Sequence, residues 1–176
     1  NLLAGKEATE YLYRLGHRQI AYVGSEYIMF FSAERKAGYQ AALLEHGLPL
    51  KPEYCIEISQ FSLDGNEALN ELLEGEGRPT AVVTSDDIIA ISLKRLCAQR
   101  GLSVPEDLSI VSFNNSLFAR ISSPQLTSVD INSLQLGIEA ASQLINHIEN
   151  PNLLATKIIV PHSLVERDSC RRIGED

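Results

Sequence analysis

Along the first stretch, Leu3, Ala4, Ala8, Tyr11, Leu12 and Leu15 recur at helical spacing, and Gly16 supplies a left-handed stop. The period then changes to a short apolar run, Gln19-Ile20-Ala21-Tyr22-Val23-Gly24, which predicts a strand. Ser32 is placed to cap a second helix that ends at Gly47, with Pro49 and Pro52 behind it. The alternation continues. Cys55 to Ile58 predicts a strand, Leu63 to Glu74 a helix closed by Gly75 and Gly77, Thr80 to Thr84 a strand, and Asp87 to Arg100 a helix closed by Gly101. Ser109 to Phe113 is the fourth strand of the series.

After Phe113 the rhythm breaks into a loop containing Ser122-Ser123-Pro124, then a brief extended piece, Thr127 to Asp130. A longer helix follows from Ser133 to Glu149 with the stripe Leu134, Ile138, Ala141, Leu144, Ile145 and Ile148, ended by Asn150-Pro151. Two extended runs close the chain, Lys157 to Val160 and Ser163 to Glu166, split by Pro161. Strands alternating with helices of this length predict an α/β fold: a parallel sheet with right-handed crossovers, flanked by helices on both faces.

In such a sheet a ligand lies beyond the carboxyl ends of the strands. The residues just after the four strands are Gly24 and Ser25; Ser59, Gln60 and Phe61; Ser85, Asp86 and Asp87; and Asn114 and Asn115. Arg35 joins this rim on electrostatic grounds. A cation in the first turn of the Ser32 helix opposes the helix dipole at a cost of about 0.3–1 kcal/mol, so a facing carboxylate such as Asp86, or a ligand oxygen, is expected. Each residue also has a plainer reading. Asp87 has the position of an N-cap, Asp86 of solvated charge, Phe61 of a core aromatic, and Arg35 of a surface ion pair. Asn114 and Asn115 suit a turn, because Asn tolerates the left-handed region.

Composition narrows the function classes. A chain of 176 residues with 44% hydrophobic and 22% charged residues has the balance of a soluble globular protein. The net charge of -8 is spread out, with no Lys or Arg cluster longer than Arg171-Arg172, so this stretch is not expected to grip DNA by itself. Three scattered cysteines (Cys55, Cys97, Cys170) fit buried thiols in the cytoplasm better than disulfides. No apolar run reaches the length of a membrane span, and none has the form of a signal peptide. The chain opens without Met and inside a helical pattern, which reads as a fragment of something longer.

Catalytic signals are weak. There is no Gly-rich phosphate loop, so no nucleotide cofactor is indicated. The four histidines (His17, His46, His147, His162) have no partner at metal spacing. Asp86 and Asp87 are adjacent, which does not set an acid and a base across a substrate. Asn114-Asn115-Ser116 matches a glycosylation acceptor, which is idle in a cytoplasmic chain. Amides, a carboxylate, an Arg and an aromatic plate suit vicinal hydroxyls and the C–H face of a pyranose, so a sugar binder fits better than an enzyme.

Six motifs, in order and at consistent spacing, then point to one family: LGHRQIAYVG, ERKAGYQAALLEHG, RPTAVVTSDDIIAI, VPEDLSIVSFNN, SPQLTSVDINSLQLGIEAA and HSLVERDSC. Across nearly its whole length the chain resembles the effector-binding domain of the lactose-repressor (LacI/GalR) family of bacterial transcription regulators. That resemblance implies a periplasmic-binding-protein-like fold with two lobes and a sugar held between them by Arg35, Phe61, Asp86 and Asn114. It also implies a homodimer, operator DNA gripped by a helix-turn-helix outside this chain, and a protein corepressor as a further candidate partner. Two departures stand out: Asn114-Asn115 where the family usually has an Asp pair, and Asp86 where an Asn commonly precedes the capping Asp. They swap acid and amide across the pocket and put the identity of the sugar in doubt.

The SFNNS and TSDD variants, with LTSVDINSLQLG behind them, look most like the maltose-operon repressors of Gram-positive bacteria, which implies maltose or a maltodextrin as effector. By the family pattern, residues 17–129 and 161–176 form a nearly complete lobe, and residues 1–16 and 130–160 a remnant of the other. The helix faces of Leu3, Leu12 and Leu15, and of Leu134, Ile138 and Ile145, should then lack part of their cover. Replacing Arg35 or Asn114 by Ala is expected to abolish the sugar response and leave the fold intact. The alternatives are a periplasmic sugar-binding protein of a transporter, and an α/β sugar-modifying enzyme dependent on Asp86.

Overall fold

Helix α1 (Leu2–Arg14) ends where the apolar period meets Gly16, whose φ of 100° turns the chain into strand β1 (Ile20–Ser25). Then follow α2 (Phe30–Glu45), a 3₁₀ turn at Pro52–Tyr54, β2 (Cys55–Ile58), α3 (Glu67–Glu74), β3 (Ala81–Thr84), α4 (Asp87–Gln99) and β4 (Ser109–Phe113). The chain closes with α5 (Leu117–Ile121), β5 (Thr127–Asp130), α6 (Ser133–Glu149) and β6 (Ser163–Val165). This computed structural model describes residues 1–25, 30–58, 66–75 and 77–174.

The strands form one six-stranded sheet in the order β2-β1-β3-β4-β5-β6, parallel except for β6, which runs antiparallel to β5. Both faces are covered, which is why the central strands read as continuous apolar runs and not as alternating ones. Ala21, Val23, Val82 and Ile110 face α3 and α4 in one core. Ile20, Tyr22, Ala81, Val83, Val111 and Phe113 face α1 and α2 in the other. The sheet therefore reverses its strand order between β1 and β3, the position at which a parallel sheet opens a crevice.

Helices α1 and α2 meet through glycines. A methyl group on Gly5 would stand 2.2 Å from the Arg35 carbonyl oxygen, and one on Gly38 would stand 2.0 Å from the Leu2 carbonyl oxygen. This contact buries Leu12 completely. The expectation of an uncovered Leu12 is thus corrected: it packs in the core beneath α1 and α2. The outer face matches expectation: Leu3 is 68% exposed.

Helix α6 has the predicted limits, and none of its residues is buried; Leu134 is 76% exposed and Ile148 69%. The predicted strand at Lys157 to Val160 is not formed, because among the described residues no neighbouring strand is there to bond its backbone. Three further expectations change. The loop after Phe113 contains α5, Ser32 lies inside α2 and not at its cap, and α3 starts at Glu67 with Asn66 as its cap.

Candidate functional site

Three rim segments meet beyond the carboxyl ends of β1, β3 and β4. The Ser85 side chain ties the first two, accepting from the Ser25 amide at 3.2 Å and donating to Asp86 Oδ2 at 3.0 Å. Arg35 ties the second to the third. Its Nη1 donates to the Ser85 carbonyl at 2.5 Å and its Nη2 to Asn114 Oδ1 at 3.0 Å. Its Nε donates to Asn1 Oδ1 at 3.3 Å. The guanidinium carbon lies 4.8 Å from the Phe31 ring centre and 4.4 Å from that of Phe113, so two π-faces hold it as well.

Arg35 is therefore not the surface ion pair of its plainer reading. It is 2% exposed, lies in the second turn of the described helix, and among the described residues has no ion pair with Asp86 or another carboxylate. Burial pushes its pKa down to about 10, against the pull of Tyr22, Asp86 and Asp87, so it stays charged at neutral pH. The planar, forked guanidinium lets one side chain reach three separate oxygens.

The cap falls one residue earlier than expected. Asp86, not Asp87, is the N-cap of α4: its Oδ1 accepts from the Ile89 amide at 2.9 Å. Asp87 is 2% exposed and binds what surrounds it. Its Oδ1 accepts from the hydroxyls of Ser112 at 2.5 Å and Ser128 at 2.9 Å, and its Oδ2 from the Ser116 amide at 2.7 Å. The extended backbone of Asp86 (φ -162°) explains the shift by one residue, since a cap sits just outside the first helical residue. Asp86 stays partly exposed at the rim, with lone pairs left on both oxygens for a ligand hydroxyl.

Asn114 and Asn115 both have positive φ, 92° and 45°, so both shape the turn. The Asn114 amide is oriented by Arg35: its oxygen faces the guanidinium, leaving its Nδ2 donors directed elsewhere. Asn115 turns the other way. Its Nδ2 donates to Asp130 Oδ2 at 2.9 Å and its Oδ1 accepts from Arg167 Nη2 at 2.5 Å.

Arg35, Asp86 and Asn114 are thus brought together, and Phe61 falls outside the described residues. The sequence reading missed Ser85, Phe31, Phe113 and Asn1 as the cradle of Arg35. The glycines inside α1 and α2 were the available signal, because a mid-helix Gly costs about 1 kcal/mol relative to Ala and is kept where another backbone comes close. Among the described residues no group of His, Cys, Asp and Glu is arranged to hold a metal ion. A groove of about 580 Å³ lies on the flank between β2 and α3, lined by residues such as Tyr54, Glu57, Asn66 and Leu72. Arg35, Asp86 and Asn114 take no part in it.

Residues 9–170 match the family model described as a periplasmic binding protein-like domain. The probable HTH-type transcriptional repressor ExuR of Bacillus subtilis (strain 168) is 33% identical over 168 residues, covering 96% of this chain and 50% of that protein. The crystal structure of a putative transcriptional regulator LacI from Bacillus cereus subsp. cytotoxis NVH 391-98 aligns with a TM-score of 0.91 at 39% identity, covering 98% of this chain and 61% of that one. A transcriptional regulator CelR–cellobiose complex aligns with a TM-score of 0.86 at 29% identity, covering 96% and 51%. The chain spans about half the length of the curated relatives it matches, and among the described residues no helix is long and apolar enough to cross a membrane. The chain belongs to the periplasmic-binding-protein-like domain family, in the form that LacI-family transcriptional regulators carry as their effector-binding domain.

Proposed function

We propose that this chain is the sugar-sensing part of a cytoplasmic DNA-binding repressor, and that a sugar bound at the Asp86–Asn114 rim alters the protein's grip on its operator. The observation that carries the proposal is the Asn114 carboxamide, held by the buried Arg35 so that its donors are free for a hydroxyl oxygen, with the acceptor Asp86 next to the Ser85 carbonyl that the same Arg35 binds. An amide donor and a carboxylate acceptor are the pair that vicinal hydroxyls require. Phe61 is proposed as the apolar plate on the same rim. Maltose or a maltodextrin is the proposed effector, supported by the SFNNS and TSDD variants; the CelR complex with cellobiose is a disaccharide complex on a similar fold.

Residues 130–160 are proposed to belong to a second lobe. Their support is the uncovered apolar stripe of α6, where Leu134, Leu144 and Ile148 are each more than half exposed. The protein is proposed to act as a homodimer. Ile88 on α4 and Leu117, Phe118 and Ile121 on the adjoining α5 are all exposed, a patch a second copy would cover. A transporter's binding protein is not favoured, since the curated relatives are transcriptional repressors. An enzyme is not favoured either, since the relatives are transcriptional regulators.

Binding of the complete protein to DNA from the control region of its own operon tests this reading. With maltose, maltotriose, cellobiose and glucose as probes, at least one should change operator affinity by about fivefold or more. No change with any of them would contradict it.

A further inference from the structure

The Asn115 side chain is not used by the proposed sugar rim, yet both ends of its amide have charged partners. An amide is ambiguous in orientation until its partners fix it, and here they do. The Asp130 carboxylate can only accept and the Arg167 guanidinium can only donate, so the nitrogen must face Asp130 and the oxygen Arg167. The Asn115 backbone amide also donates to Ser128 Oγ at 3.0 Å, and that hydroxyl in turn donates to the buried Asp87.

Two of these partners lie on the path from the sheet to α6. Ser128 and Asp130 belong to β5, the last strand before the chain leaves the sheet. Asp130 Oδ1 accepts from the Asn132 amide at 2.7 Å, holding the left-handed residue (φ 55°) that starts α6. Arg167 comes from the returning tail, and its Nη1 donates to the Leu126 carbonyl just before β5. Asn115 therefore clamps the outgoing strand and the returning tail at one point. Its neighbour Asn114 is fixed by Arg35 in the crevice, and both sit in one tight turn of positive φ.

We infer that Asn115 is a positioning residue that transmits occupancy of the crevice to the Asp130–Asn132 joint and so to α6. The inference rests on the sugar-sensing reading above. A sugar that draws the Asn114 donors toward itself re-orients the 114–115 turn, and the Asn115 amide carries that change to Asp130 and Arg167. The ligand acts through its different affinity for the two arrangements of the joint. A residue that only shaped the turn would need its positive φ and not its amide.

Asn115→Asp keeps the size and the tolerance of positive φ, but sets a carboxylate against Asp130. Adding Asp130→Asn exchanges acid and amide, restoring one donor, one acceptor and the Arg167 contact. The complete protein is titrated by calorimetry with maltose, maltotriose, cellobiose and glucose, and hydrogen exchange is followed at the Asn132 and Leu136 amides. In the unaltered protein the sugar that binds should change exchange at these amides by about tenfold. Asn115→Asp should bind that sugar within about threefold of the unaltered protein while the change in exchange falls to within about twofold of none, and the exchange of acid and amide should bring it back.

An undiminished change in Asn115→Asp, or no recovery in the double variant, would overturn the inference. So would loss of sugar binding in Asn115→Asp, which would make Asn115 a ligand contact. If the unaltered protein binds none of the four sugars, the sensing reading itself fails and this inference falls with it.

Discussion

Arg35 shows how one side chain can set a site without being open to solvent. Its three hydrogen bonds go to neutral oxygens, and two aromatic faces supply the rest of its surroundings. Arg35→Ala leaves the buried Ser85 carbonyl unpaired, at about 1–3 kcal/mol, and empties the buried space beside the Phe31 and Phe113 rings, while the more exposed Asn1 and Asn114 oxygens can turn to water. The substitution should therefore lower unfolding stability by about 3 kcal/mol or more, measured by urea denaturation, and not leave the fold intact as the sequence alone suggests. Arg35→Lys should recover less than half of that loss, because one ammonium cannot span three separated oxygens.

His17 gives a second prediction at this scale. Its imidazole is 1% exposed and joins the Thr80 hydroxyl at 2.9 Å to the Arg171 carbonyl at 3.1 Å. The carbonyl must accept, so Nε2 carries the hydrogen and Nδ1 accepts from Thr80. Burial, with help from Arg171 and Arg18, holds its pKa below the usual 6.5. Below about pH 6.5 the unfolded chain takes up a proton that the folded chain refuses, so stability is full above that pH and falls as the pH is lowered through the window down to the folded pKa. His17→Gln should flatten the slope of stability against pH there; an unchanged slope would show that other groups produce it.

Among elements, the crossing of α1 over α2 decides where Arg35 stands, because Gly5 rests on its backbone carbonyl. Gly38→Ala meets backbone on the facing helix and must push the pair apart. We expect a loss of about 1–3 kcal/mol in denaturation and a lower melting temperature, although in an isolated helix the same change would be favourable. The order and kind of the elements were largely legible, because a parallel sheet covered on both faces writes continuous apolar strands between amphipathic helices. The site was legible only as positions. That Asp86 and Asn114 converge followed from the strand-end rule, and Arg35 joined them on helix-dipole grounds, but their roles depend on contacts between residues distant in sequence, such as Arg35 with Ser85 and Asn115 with Arg167. The strand expected at Lys157 to Val160 was overread for a related reason. β-branched residues suit a strand, but without a neighbour to pair with they do not make one.

For the molecule as a whole, the exposed apolar residues fall mainly in two places: the stripe of α6 with the segment after it, and the α4–α5 corner. The first is proposed to face the rest of a second lobe and the second a copy of the protein. If so, Phe118→Glu in the complete protein should shift its sedimentation from dimer toward monomer without loss of helical content, while an unshifted dimer would place the contact elsewhere.

Sensing, as proposed, depends on a sugar held by the Asn114 carboxamide that the buried Arg35 orients. Calorimetric titration of the complete protein with maltose, maltotriose, cellobiose and glucose examines that contact, beside Asn114→Gly, which keeps the positive φ and removes only the amide. We expect saturable binding of at least one of these sugars, weakened by about tenfold or more in Asn114→Gly while the circular dichroism spectrum is unchanged. Equal affinity in the two proteins, or no binding of any of the four, would show that the Asn114 carboxamide does not hold the ligand.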